Sequence, residues 1–253
     1  SDQIVADGGT PWCIGVESGA ASGWPGTDWI EDIFLRTAGP AVYDQWVNHE
    51  IPWTDPAVKT AWEYFGQVAA NEDYVWGGTT GVLSTFFGDS PVPLFDDPPG
   101  CYMHRQASFI TGFFPEGVEE GDYDFFPFPP IDPQWGTPVL GGADLIVMFN
   151  DTPEARQLLE YLASPEPQEI WAAAGGFISP HKGVSMDAYP DDLTRKMAEM
   201  VVSAEVFRFD ASDLMPAAVG AGSFWTGVLD YVGGADLDAV LEEIEASAVD
   251  AYE

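Results

Sequence analysis

Two stretches dense in proline and glycine decide how this chain can be divided: "FPFPPIDPQWGTPVLGGAD", residues 126–144, and "AAAGGFISPHKGVSMDAYP", residues 172–190. Proline removes backbone donors and glycine frees the backbone, so punctuation at this density marks candidate crossovers between parts of a molecule. Between them, from Gly142 to Phe177, lie one apolar run, "LIVMF", and two helical segments. That is too little to bury a core of its own. The segment is therefore expected to complete a lobe whose other parts lie elsewhere, upstream of residue 1.

The remaining organisation follows from hydrophobic period. In "DPAVKTAWEYFGQVAAN" the residues Val58, Ala61, Trp62, Phe65, Val68 and Ala69 recur at three and four, with Asp55 as N-cap and Pro56 at the first position. "DTPEARQLLEYLAS" opens the same way, and "EPQEIWAAAGG" ends on a glycine pair that suits a C-cap. "PDDLTRKMAEMVVSAEVF", "GSFWTGVLDYVGG" and "DLDAVLEEIEASAVDAY" read as later helices. Short apolar runs, Cys13–Val16, Cys101–His104, Asp124–Phe128 and Leu145–Phe149, read as strands. Helices alternating with short strands predict an α/β fold.

Charge narrows the partners. The chain carries 42 Asp+Glu against 8 Lys+Arg, a formal net charge of −34, spread along its length. Such a surface repels phosphate backbones and anionic headgroups, which disfavours nucleic-acid and peripheral membrane binding. A neutral ligand feels little of that field. Two readings of the acidity stay open, a solvated surface or adaptation to high salt, where counter-ions screen self-repulsion. No apolar run is long enough to span a bilayer, and "SDQIVADGG" reads as the end of a helix stopped by Gly8 and Gly9, not as a signal peptide. A chain that opens in mid-element is expected to be a fragment or a processed product. Cys13 and Cys101 sit in strand-like runs and are either a disulfide or two buried thiols.

Several chemistries find no support. No G-x-S-x-G, Walker-type loop, H-E-x-x-H or C-x-x-C occurs, and His49, His104 and His181 fall at no metal-ligand spacing, so neither a metal nor a cofactor is indicated. With 42 acids, a glycosidase-type carboxylate pair cannot be picked out by counting. Unusual neighbourhoods say more. In "CYMHRQASF", Arg105 is one of few cations in a very acidic chain, and is either a structural ion-pair partner or, with Gln106, a donor to a ligand's hydroxyls. Trp24, Trp29 and Trp225 are each either core or ligand platform. Trp225 follows the glycine-rich "MPAAVGAGSFW" at a helix N-terminus, where free N–H donors are at hand. Sugar rings are held by aromatic faces together with planar polar side chains that satisfy their hydroxyls.

Six segments in order, "TPWCIGVESGAASGWPGTDWIEDIFLR", "CYMHRQASFITGFFP", "DYDFFPFPPID", "PVLGGADLIVMF", "AAAGGFISPHKGV" and "MPAAVGAGSFWTGVLDYVGG", resemble the carbohydrate-class extracellular solute-binding proteins of ABC transporters, of the α-glucoside-binding, maltose-binding-protein-like type. The resemblance covers essentially the whole chain. It implies a periplasmic-binding-protein-like (type II) two-lobe α/β fold, with mainly the C-terminal lobe present. Residues 1–141 and 178–253 would form that lobe and 142–177 a piece of the N-terminal one. It implies a non-enzymatic monomer outside the cytoplasm, periplasmic or a cell-surface lipoprotein, that holds a carbohydrate in the interlobe cleft and hands it to a membrane permease. Carried over by motif, Trp225 stacks on the sugar, Arg105 and Gln106 contact it, and Trp24 and Asp28 come from the loop at the cleft edge. Gly142 and Asp144 fall at the crossover as hinge or ligand residues. The resemblance also places both cysteines in one sheet. The competing reading is a glycosidase-like carbohydrate-active enzyme. A partner-binding module that uses exposed aromatics is a third.

Overall fold

The computed structural model describes residues 1–119 and 121–253. Among the described residues eleven α-helices follow in chain order: α1 Asp2–Ala6, α2 Trp24–Thr37, α3 Pro40–Val47, α4 Pro56–Ala69, α5 Gly78–Ser84, α6 Pro153–Leu162, α7 Pro165–Ala174, α8 Asp192–Ser203, α9 Ala211–Leu214, α10 Trp225–Val232 and α11 Leu237–Tyr252. The described strands are β1 Val139–Gly141 and β2 Phe207–Phe209, which pair in parallel with Leu140 opposite Arg208. Several helix starts have readable causes. Asp55 accepts from the Ala57 N–H ahead of α4, Thr152 from Ala155 ahead of α6, and Asp191 from Thr194 ahead of α8. No described helix is long and apolar enough to cross a membrane.

Two hydrophobic clusters divide the chain. The larger is built on α2, α3, α4, α10 and α11, and its centre is Phe224, fully buried between Trp46, Trp53 and Trp62 at ring distances of 5.6, 4.8 and 5.7 Å. Burying one such side chain contributes about 1.5–3 kcal/mol. The smaller cluster gathers Ala172, Val184, Tyr189 and Ala198, with Phe177 and Ile178 packed against it. The break expected between residues 177 and 178 therefore falls inside this second cluster. The chain leaves the larger cluster through β1 and returns through β2.

Those two strands are fastened to the larger body. Arg36 Nη2 donates to the Pro138 carbonyl (2.8 Å), the Tyr43 hydroxyl to the Phe209 carbonyl (2.9 Å), and the Asp210 N–H to the Gly141 carbonyl (3.1 Å). Arg208 grips Asp44 through two bonds of 2.6 and 2.8 Å.

The expected strands are largely absent among the described residues. Cys13–Val16 runs extended and bonds to three neighbours in isolated steps, with Cys13 N–H on the Met103 carbonyl (2.8 Å) and Val16 N–H on the Val82 carbonyl (2.9 Å). Cys101–His104 contributes one bridge, Met103 to Trp12. Asp124–Phe128 forms none, since prolines 127, 129 and 130 interrupt the donors. Leu145–Phe149 has no strand to pair with, and its side chains stand exposed, Phe149 at 96%.

Candidate functional site

α2 begins at Trp24, because Gly23 caps it with φ +106° and Pro25 fits the first turn. Trp24 and Asp28 therefore lie on a helix and not in the loop at the cleft edge. Gly23 also settles what α2 meets. A Cβ there would collide with the main-chain carbonyl of Trp225, so the two nominated tryptophans belong to backbones in direct contact. Trp24 lies edge-on to Phe87 (5.1 Å) and tilted on Phe109 (6.0 Å), and Phe109 and Phe113 remain substantially exposed. Half-buried Trp225 opens α10 after a π-helical turn, Val219–Phe224, and its Nε1 has no acceptor among the described residues.

One and two turns further along α2 come Asp28 and Asp32, four apart and so on one face. Arg105 bridges them, with Nη1 3.4 Å from Asp28 Oδ2 and Nη2 3.2 Å from Asp32 Oδ2. Asp32 also ion-pairs with Arg36. Burial opposes the charge on Arg105, but Asp32 and Asp28 outweigh it and hold its pKa above the ordinary value. Burial pushes Asp28 well above the carboxylate range, Arg105 pulls it back, and Asp210 adds to the rise. Two donors of Arg105 are thus committed to aspartates within the chain.

Glu31, on the same helix and fully buried, accepts from the backbone N–H groups of Ala211 and Ser212, both at 3.0 Å. Burial, then Asp210 and Asp28, push its pKa well above the usual range. Oxygens of Asp28, Glu31 and Asp210 lie within 4.8 Å of one another, close enough to share a cation. Glu31 already spends both oxygens on backbone donors, however, and a trio this close is neutralised equally well by a retained proton.

The other nominated residues stand apart. Gln106 folds back, its Oε1 accepting from the Ala107 N–H (2.9 Å). Gly142 and Asp144 are exposed just past β1, and open space surrounds the position a Cβ would take on Gly142. Cys13 and Cys101 are joined as a disulfide, Cα–Cα 5.7 Å, which ties the segment before α2 to the one carrying Arg105. His104 reinforces the tie through Nδ1 on the Cys13 carbonyl (2.8 Å). Sequence reasoning missed Glu31, Asp32, Asp210 and Ser212. A signal existed in "TDWIEDIFLR", where three acids at helical spacing interrupt an otherwise apolar helix.

Comparison with known proteins adds further likenesses. The family described as bacterial extracellular solute-binding protein matches over residues 9–197. The osmoprotective compounds-binding protein GgtB of Synechocystis sp. is 56% identical over 247 residues, covering 98% of this chain and 59% of that protein. The alpha-glucosides-binding periplasmic protein AglE of Rhizobium meliloti is 50% identical over 237 residues, covering 92% and 52%. The chain thus spans little more than half the length of these curated relatives. Among solved structures, the bacterial solute receptor AcbH superposes with a TM-score of 0.77 at 18% identity, over 100% of this chain and 63% of that one. AcbH, like a chitin oligosaccharide binding protein that superposes with a TM-score of 0.76 at 19% identity over 99% of this chain and 62% of that one, has the type II periplasmic solute-binding fold.

Proposed function

Because the chain belongs to the bacterial extracellular solute-binding proteins, we propose that it binds a neutral sugar, an α-glucoside or malto-oligosaccharide, for delivery to an ABC transporter permease outside the cytoplasm. The backbone contact between Gly23 and Trp225 carries this reading, since it joins the start of α10 to the start of α2, the helix on which Trp24, Asp28 and Asp32 follow one another at turn spacing and Arg105 bridges the two acids. Aromatic faces with fixed polar partners are what a sugar ring requires. The name of one relative, an alpha-glucosides-binding protein, supports the choice of sugar, while the other is named for binding osmoprotective compounds. The glycosidase alternative gains nothing from a family and relatives that are described as binding proteins.

On this reading residues 1–141 and the return from β2 to the end form one lobe. The stretch from Gly142 to Val206, with its own small cluster, belongs to the other, which moves the second crossover from 177 to the approach of β2. Binding would close the lobes because the ligand makes its better contacts in the closed state. Titration with a panel of α-glucosides followed by tryptophan fluorescence tests the proposal. Saturable quenching with no product supports it. Turnover that disappears on substitution of one carboxylate would replace it with an enzyme.

A further inference from the structure

We infer that Glu31, which touches no ligand on the reading above, is the positioning residue that sets Trp225 against Trp24. The inference rests on those two tryptophans being the sugar's contacts.

The geometry forms a closed circuit. Glu31 grips the first two backbone N–H groups of α9, at Ala211 and Ser212, with both carboxylate oxygens (3.0 Å each). A carboxyl group accepting two backbone donors inside a dry interior is a directional fastening in either protonation state, because neither donor has water as an alternative. Thr27, also fully buried and one turn earlier on α2, adds a hydroxyl contact of 3.4 Å to the Ser212 side chain. Ser212 is held on its other side by the π-helical turn, since a Cβ on Gly220 would collide with the Ser212 carbonyl. That turn runs directly into Trp225, whose carbonyl lies against Gly23, the residue before Trp24. From Glu31 the circuit passes through Ser212, Gly220 and Trp225 to Gly23, and returns along α2. A shift of α9 against α2 therefore has to move Trp225 relative to Trp24.

Glu31→Gln is the sharpest probe. It keeps shape and volume but turns one acceptor into an N–H2 group facing a backbone N–H, which loses one of the two bonds. Val58→Ala, in α4, is the control: it removes buried atoms from a helix that supplies none of the circuit's hydrogen bonds or close backbone contacts and lowers the unfolding midpoint on its own. Maltose affinity, read at a temperature where all variants are folded, is expected to fall about tenfold in Glu31→Gln. Val58→Ala should stay within about twofold of the wild type. Thr27→Val, the milder probe should Glu31→Gln fail to fold, should lose about twofold to threefold.

Amide hydrogen exchange of the ligand-free protein separates this inference from the sugar reading. In either circuit variant, protection is expected to drop at Ala211 and Ser212 and onward through Gly220 to Trp225, while α4 keeps its own. If no sugar binds the wild type but this pattern appears, the sugar reading fails and the positioning role stands. Unchanged protection from Gly220 to Trp225, or a Glu31→Gln protein that binds maltose like the wild type, would overturn it.

Discussion

Gly23 lies so close to the main-chain carbonyl of Trp225 that no side chain fits between them. The contact joins the N-termini of α2 and α10, and Gly23 holds it with φ +106°, a conformation that side chains resist. Gly23→Ala therefore meets both a collision and a strained backbone, and is expected to destabilise the fold by about 2–4 kcal/mol. Urea unfolding measures this, and a loss under about 0.5 kcal/mol, the range of ordinary surface changes, would mean the two backbones are not in contact.

Arg105 is the counter-charge for two nearly buried aspartates. Arg105→Ala should cost about 3–5 kcal/mol in urea unfolding at neutral pH, since it removes the cation that Asp28 and Asp32 share inside the fold. A loss under about 1 kcal/mol, the range of exposed pairs, would argue against the ion pair.

Asp28 and Glu31 give stability a definite pH slope. Burial raises both above the values they have in the unfolded chain, so the folded state binds the extra protons. Their contribution is fully present below the ordinary carboxylate range and is lost as pH climbs through the raised values. Asp28→Asn keeps an acceptor for Arg105 and offers an N–H toward Asp210, copying the protonated form. The slope of Tm against pH above the ordinary carboxylate range should accordingly be shallower in Asp28→Asn than in the wild type, and equal slopes would contradict the buried-proton account.

The Cys13–Cys101 disulfide closes a loop with a sequence separation of 88. Chain entropy assigns a closure of that length about 4–5 kcal/mol. Unfolding under reducing conditions should show a loss of that order, and mass analysis of non-reduced peptides should find the two cysteines linked.

Local structure was legible where a single residue decides it. Asp55 with Pro56, and Thr152 with Pro153, announce α4 and α6, because a side-chain cap and a fixed φ act within a few residues. The start of α2 is hidden in the sequence because Gly23 caps it with no side chain at all, which is why Trp24 and Asp28 read as loop residues. "LIVMF" has the composition of a strand, yet a strand exists only with a neighbour, and composition is silent on neighbours. Glycines mark a turn near 177 but are silent on packing, and Phe177 and Ile178 on its two sides both pack against the second cluster. Trp24, Asp28, Arg105 and Trp225 stood out by rarity or motif. Glu31 was marked only by its place in the apolar run of α2, and half-buried Asp210 by nothing, since in a chain with 42 acids only tertiary contact sets such a residue apart.

Tryptophan fluorescence during a maltose titration tests the central claim most directly, on the wild type, Trp24→Ala, Trp225→Ala and, as a core control, Trp53→Phe. Saturable quenching is expected in the wild type and in Trp53→Phe, with affinity lowered by about tenfold or more in each alanine variant while its unfolding midpoint stays closer to the wild type than its affinity does. Quenching of undiminished affinity in both Trp24→Ala and Trp225→Ala would contradict the account, because the sugar would then be held by some other part of the chain.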